Sequence, residues 1–234
     1  MTESNNARSE ILARIRSAIG GNVPAAVAEE NWQTIPRQYQ QSGTHSHADC
    51  LHLFEDRLRD YGAGVFHCAP ENLAATIAQT LRMRNKKRIF VSPDIDSTAL
   101  PTDDRTYVTD SALSYSQIDS CDGVLTGCTV AIAETGTLAL CHDRSAPAIP
   151  TDNFLHPELG QSRRAVTLLP DYHLCVVRAV DVVQTVPQAI GVLDRHKLQP
   201  ITLISGPSAT ADIEMTRVQG VHGPRTLDVV IVSG

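Results

Sequence analysis

The feature that most restricts this chain is a series of short segments rich in apolar residues on both sides of the backbone. They are "GVFHC" at 64–68, "RIFVS" at 88–92, "GVLTG" at 123–127, "TVAIAE" at 129–134, "TLALC" at 137–141, "LCVVR" at 174–178, "ITLIS" at 201–205 and "LDVVIV" at 227–232. Most lack the in–out alternation of a strand with one wet face. Helical periods lie between them: Leu51, Phe54 and Leu58, then Leu73, Ile77 and Leu81. Val186–Leu193 and Thr210–Gln219 also read as helices. Strands apolar on both faces and separated by helices predict an α/β fold with an open, mostly parallel sheet covered by helices on both faces. The run "TVAIAETGTLAL" differs, because two apolar segments meet at Glu-Thr-Gly and so predict a tight bend within a sheet. Hydrophobic residues make up 42% of the chain but aromatics only 4%, so the core must be built mainly from Val, Ile, Leu and Ala.

The first 47 residues have a different character, and the expected division is 1–47 and 48–234. Ile11, Ile15 and Ile19, widened by Leu12, mark a helix over 8–19, which Gly20-Gly21 stops. Asn22–His47 shows no period and reads as an extended connector, pinned to the body by Trp32 and Tyr39. This helical arm is expected to contact a partner or another copy of the chain. The net charge of -6 and the lack of a basic stripe argue against nucleic-acid binding. No apolar run is long enough to span a bilayer and the N-terminus does not read as a signal peptide, so a cytoplasmic location is expected. None of the six cysteines forms a C-x-x-C pair, which disfavours a disulfide framework or a self-contained zinc or iron–sulfur site. They read as buried thiols.

In open α/β sheets, ligands bind beyond the carboxyl ends of the strands. That rule points to Glu134–Thr137, Ser205–Thr210 and Pro170–His173. In "ISGPSATADIEMTRVQGVHGP", Gly206-Pro207 turns sharply after a strand, and Ser208 or Thr210 is placed to cap a helix. Asp212 and Glu214 then suit the helix dipole. A capped crossover helix accounts for all of this; the functional alternative is a loop that binds an anion or a carbonyl group. A hydrolase elbow of Ser208, Asp212 and His222 is a weaker fit, since the second glycine of G-x-S-x-G is missing. Glu134 follows a mostly apolar run, so it either ties the bend or acts as base or nucleophile. Thr135 and Thr137 flank it and can donate hydrogen bonds. His142, Asp143 and Arg144 could form a polar cluster at the mouth of the site, and Arg163 or Arg164 could pair a substrate carboxylate. His45, His47 and His52 have only loose metal-ligand spacing, and no metal site is expected. Neither a P-loop nor a G-x-G-x-x-G fingerprint is present.

The stretches "AIAETGTLAL", "RRAVTLLPDYHLCVV" and "ITLISGPSATADIEMTRVQGVHGPRTLDVVIV" resemble the lactate-utilisation protein C family, which carries the lactate-utilisation (LUD) domain. The resemblance covers roughly Ala48 to Val232. It implies a part in oxidising L-lactate to pyruvate beside two companions, a cysteine-rich protein and an iron–sulfur protein. It also implies that the iron–sulfur clusters sit in those partners and that this chain holds no cofactor. The implied fold is similar to the ribose-phosphate isomerase, glucosamine-phosphate deaminase and CoA-transferase group. "Ala-Glu-Thr-Gly" at Ala133–Gly136 is similar to the Ser-Glu-Asn-Gly element of CoA transferases, with Ser and Asn replaced. The resulting expectation is a pocket for a small anion or carboxylate. Glu134, Thr135, Gly136 and Thr137 form one side, Gly206, Pro207, Ser208 and Thr210 the other, and His222 lies nearby. The alternative is a stand-alone acyl- or CoA-transferase-like enzyme with Glu134 as nucleophile or base. Whether the chain is itself catalytic stays open at this point.

Overall fold

A computed structural model describes residues 2–21, 23–109, 113–142, 161–196, 199–211, 217–219 and 222–233. The chain forms two compact units, Met1–Tyr39 and Gln40–Gly234. The first holds helices α1 (Thr2–Ala18) and α2 (Ala25–Thr34). α2 corrects the expected extended connector: a helix forms there without burying a single residue, so the sequence carries no apolar period to betray it. Trp32 and Tyr39 are 59% and 57% exposed, and the Arg37 guanidinium lies over the Trp32 ring.

The second unit begins with α3 (His47–Asp60), capped by the Ser46 hydroxyl, which accepts from the Asp49 N–H. There follow β1 (Gly64–Cys68), α4 (Leu73–Met83), β2 (Arg88–Val91), β3 (Thr106–Val108), α5 (Tyr115–Asp119), β4 (Gly123–Thr126), β5 (Val130–Ile132) and β6 (Thr137–Cys141). The remaining elements are β7 (Tyr172–Arg178), β8 (Val182–Val183), α6 (Val186–Leu193), β9 (Ile201–Ile204), β10 (Ala209–Ala211), β11 (Arg217–Gln219) and β12 (Thr226–Val232).

Six strands form one sheet in the order β1-β12-β7-β4-β2-β3, every neighbour parallel. Four more form a second, mixed sheet in the order β8-β5-β6-β9. In it β5 runs parallel to β8, while β6 is antiparallel to both β5 and β9. On one face of the large sheet, Leu73, Ile77 and Leu81 of α4 pack with Ile89, Val91, Leu174, Val176 and Val230. On the other, Cys175, Val177, Val229 and Ile231 meet Phe54 and Leu58 of α3 and Ala131, Leu138 and Leu140 of the second sheet. Complete burial of a side chain such as Phe54 contributes about 1.5–3 kcal/mol. α6 closes the outer face of the second sheet through Ala189 and Leu193.

β12, next to the edge strand β1, carries Asp228, fully buried. Arg84 grips it with two hydrogen bonds of 2.8 and 2.6 Å, and the Tyr172 hydroxyl donates a third at 2.9 Å. A buried carboxylate is tolerated only with such compensation.

At both described ends of the helix expected over 210–219 the chain is a strand instead. β10 and β11 pair antiparallel there, with Ala209 opposite Gln219 and Ala211 opposite Arg217. Asp212, Glu214 and Met215 lie outside the described residues, and no described helix begins at Ser208 or Thr210.

Candidate functional site

The bend between β5 and β6 is a tight turn whose geometry depends on Gly136, at φ +58°. A Cβ there would meet Arg57 and the Leu58 nitrogen of α3. Gly206, at φ +85°, stands in the same relation to Tyr61 just past the end of α3. Both turns thus press against the C-terminal end of one helix. They also touch through hydroxyls: Thr135 Oγ1 to Thr137 Oγ1 is 2.7 Å, and Thr137 Oγ1 to Ser205 Oγ is 2.7 Å. Glu134 itself is exposed. Its Oε1 accepts from Gln184 Nε2 at 3.0 Å, and Gln184 Oε1 in turn accepts the His45 N–H at 2.8 Å. Through Gln184 this carboxylate is tied to the chain leading into α3.

The Ser208 corner is tied to the segment before β12. The Ser208 N–H donates to Pro224 O at 2.9 Å, and its Oγ accepts the His222 backbone N–H at 3.2 Å. The hydroxyl meets the backbone of His222, not its imidazole. Among the described residues, neither the helix of a nucleophile elbow nor an imidazole bonded to the Ser208 hydroxyl is present.

Gly206, Pro207, Ser208 and His222 do line a cleft of about 330 Å³, together with Arg164, Thr167, His173, Thr202 and Ser205. Glu134, Thr135, Gly136 and Thr137 are not part of its wall. Thr167 precedes β7, and Gly223 and Pro224 precede β12, so the cleft opens at the amino ends of these parallel strands. Pro170–His173, expected at a carboxyl end, likewise runs into the start of β7. Glu134–Thr137 and Ser205–Thr210 follow strands of the second sheet, not of the parallel one.

The floor of the cleft is polar and buried. His173 is 1% exposed, and its Nε2 lies 2.8 Å from Thr126 Oγ1. Nδ1 has no hydrogen-bond partner. Burial pushes this imidazole down to about 4, with a smaller push from His142, so it is neutral at physiological pH. His142 is also buried and lowered for the same reason. It bridges Ser162 O (3.0 Å) and Thr202 Oγ1 (2.8 Å). Asp143 and Arg144, its expected companions, lie outside the described residues. Arg164 is exposed at the rim of the cleft, whereas Arg163 donates to Leu113 O. Among the described residues no group of three or more His, Cys, Asp and Glu could hold a metal ion.

The LUD domain family matches residues 154–232, the segment that supplies every residue of the cleft. Lactate utilization protein C of Deinococcus radiodurans is 38% identical over 228 residues, 97% of this chain and 95% of that protein. The chain belongs to the lactate utilization protein C family. A second family member, from Anoxybacillus flavithermus, is 25% identical over 232 residues, 95% of this chain and 97% of that protein. The crystal structure of a DUF162 family protein from Deinococcus radiodurans superposes with a TM-score of 0.63 at 35% identity. It covers 81% of this chain and 99% of that one. The family's α/β fold is thus present, with a mixed second sheet laid over one face of the parallel one.

A second polar centre in this family member went unnoticed in the sequence. The connection after β2 packs Ile95 and Ala99 on the α4 face and leads outward to β3. The connection after the adjacent β4 leads to the opposite face, where Ala131 and Ala133 pack, and then back to β7. The carboxyl ends of β2 and β4 are therefore the point where strand order reverses, the position at which open α/β sheets bind ligands. Asp94, 1% exposed, sits there. Its Oδ2 accepts the Gly127 N–H at 3.0 Å and Gln161 Nε2 at 2.9 Å. Gln161 is itself fixed, its Oε1 accepting from Thr129 Oγ1 at 3.0 Å and the Cys141 N–H at 2.6 Å. Asp94 Oδ1 and the Ser92 hydroxyl have no hydrogen-bond partner. Each such group costs about 1–3 kcal/mol of desolvation. The signal for this pair is strand order, which local periodicity does not carry.

Proposed function

We propose that this chain is the carboxylate-binding subunit of a cytoplasmic system that oxidises L-lactate to pyruvate, with iron–sulfur and cysteine-rich partner proteins carrying the electrons. A role in lactate utilisation rests on family membership. The observation that supports carboxylate binding is the composition of the cleft: one guanidinium at its rim, with the hydroxyls of Thr167, Thr202, Ser205 and Ser208 around the interior. Arg164 offers a fork of N–H donors matched to a carboxylate, and the Ser208 hydroxyl, which accepts from the His222 N–H, keeps its proton to donate. His173 is held neutral, so it adds no charge of its own. A volume of about 330 Å³ accommodates a small organic acid with room to spare.

The test uses the full-length chain. L-lactate, pyruvate and acetate are expected to raise its melting temperature, and Arg164→Ala is expected to remove that rise while leaving the unliganded melting temperature unchanged. A strain carrying only the Arg164→Ala gene is expected to grow poorly on L-lactate and normally on glucose. Identical ligand responses in the two proteins, with normal growth on lactate, would remove the cleft from the mechanism. Affinity capture from lactate-grown cells is expected to bring down an iron-containing partner.

A further inference from the structure

We propose that Thr202 and His173 are specificity-determining residues of the Arg164 cleft, which demand a hydrogen-bond donor beside the carboxylate and so favour 2-hydroxy acids over 2-oxo acids. This selectivity rests on the carboxylate reading of the cleft and adds to it the group that must accompany the carboxylate.

The distribution of protons decides the chemistry. The Thr126 hydroxyl donates to Gly127 O at 2.8 Å. A carbonyl oxygen only accepts, so the one hydroxyl proton of Thr126 is spent there. Thr126 Oγ1 must then accept from His173 Nε2, 2.8 Å away, and Nε2 carries the ring proton. The imidazole is neutral, which leaves Nδ1 a bare acceptor with no partner in the protein. Nε2 is turned to Thr126, which does not line the cleft, so Nδ1 is the nitrogen left to it.

His142 repeats the pattern. Its Nδ1 lies 3.0 Å from Ser162 O and is therefore the protonated nitrogen. Its Nε2 accepts the Thr202 hydroxyl at 2.8 Å. Thr202, half-buried in the cleft wall, has spent its proton and presents an oxygen that can only accept. Thr167 likewise donates to Arg164 O at 3.0 Å.

Thr167, Thr202 and His173 thus offer a ligand lone pairs and no proton. An alcohol beside a carboxylate meets this demand: its O–H donates to them, while Arg164 and the Ser208 hydroxyl serve the carboxylate. A ketone sets its own lone pairs against theirs and leaves these acceptors bare. An ammonium group has protons to give, but among the described residues no Asp or Glu lines the cleft to balance a buried cation.

The probes are L-lactate, pyruvate, propionate and L-alanine, titrated calorimetrically against the full-length chain. L-lactate is expected to bind about tenfold or more tightly than pyruvate or propionate. Long-range nitrogen–proton NMR couplings of the His173 ring in the wild-type protein are expected to show Nε2 protonated. Thr202→Val removes one acceptor, and Thr126→Val removes the oxygen that fixes the His173 tautomer. Each is expected to weaken L-lactate severalfold and to leave pyruvate and propionate unchanged, a pattern that loss of fold does not produce. Equal affinity for L-lactate and pyruvate overturns this inference alone and leaves a carboxylate cleft. So does a His173 protonated at Nδ1, L-alanine binding as tightly as L-lactate, or an unchanged preference in both variants. Absence of binding by all four probes overturns the carboxylate reading, and this inference with it.

Discussion

Asp94 and His173 are both taken out of water, and burial moves their proton affinities in opposite directions. The carboxyl of Asp94 is raised from 3.8 to about 6, mainly by desolvation, against the neighbouring Ser92 hydroxyl and the Gln161 and Gly127 hydrogen bonds, which favour its charge. A raised native value means that the folded state binds the extra proton, so folding gains stability as pH falls from above 6 toward 4. Above pH 6 the charged group costs about 3 kcal/mol, at about 1.4 kcal/mol per unit. The imidazole of His173 has the reverse sign. Its native value near 4 lies below 6.5, so the stability of a neutral His173 is present above pH 6.5 and is lost as pH falls toward 4. Replacing Asp94 isolates one of these slopes. Asp94→Asn is expected to be more stable than the wild type by about 2–3 kcal/mol at pH 7.5 and nearly equal to it at pH 4. Urea midpoints at the two pH values measure this. A gap that is the same at both, or that widens in acid, means that Asp94 is not a desolvated carboxylate.

At the scale of elements, the turns against the end of α3 offer the cleanest single-residue test. Gly136 has a left-handed backbone, and a Cβ would lie 2.6 Å from the Arg57 Cβ and 3.2 Å from the Leu58 nitrogen. Strain and overlap act together, so Gly136→Ala is expected to cost about 2–4 kcal/mol, read as a fall in the urea midpoint with unchanged slope. Gly191→Ala serves as the control, since a Cβ there meets nothing within 4 Å and Gly191 lies inside α6. This substitution is expected to be neutral or slightly stabilising. The bend itself was readable, because Glu-Thr-Gly between two apolar runs has few other solutions. The β10–β11 pair was not. Ala211, Met215 and Val218 satisfy a helical period, and Gly-Pro-Ser is a good helix start, yet Ala209–Ala211 and Arg217–Gln219 pair as strands. Capping and periodicity are local preferences of a few tenths to about 1 kcal/mol each, and ribbon pairing overrides them. α2 failed in the other direction: a helix with no buried residue leaves no stripe. The site divides in the same way. Ser208, Gly206 and His222 announced a turn and were found on a cleft wall. Ser92 and Asp94 acquire meaning only from the neighbouring strand, which lies more than thirty positions away in the chain.

Across the whole molecule, the buried core lies in one unit, while the other carries a stripe of exposed apolar residues. Among the described residues, every member of the four core clusters lies at or beyond Cys50. The unit Met1–Tyr39 instead leaves Ile11, Ile15 and Ile19 exposed at 57%, 49% and 66% on successive turns of α1 and just past its end. Those positions repeat every four residues and so form one stripe, the pattern a helix uses when its apolar side is to be covered. Since the core does not draw on this unit, a chain of residues 40–234 is expected to fold with a melting temperature within about 2 °C of the full chain. Since the stripe has no other evident use, the same truncation is expected to abolish capture of the iron-containing partner from lactate-grown cells. Ile11→Glu/Ile15→Glu in the full chain should do the same without truncation. The two measurements separate the roles of the units. A large fall in melting temperature on truncation would show that the first unit supports the fold. Undiminished capture by the truncated chain would move the docking surface onto the α/β unit, where the Arg164 cleft then becomes the face to mutate.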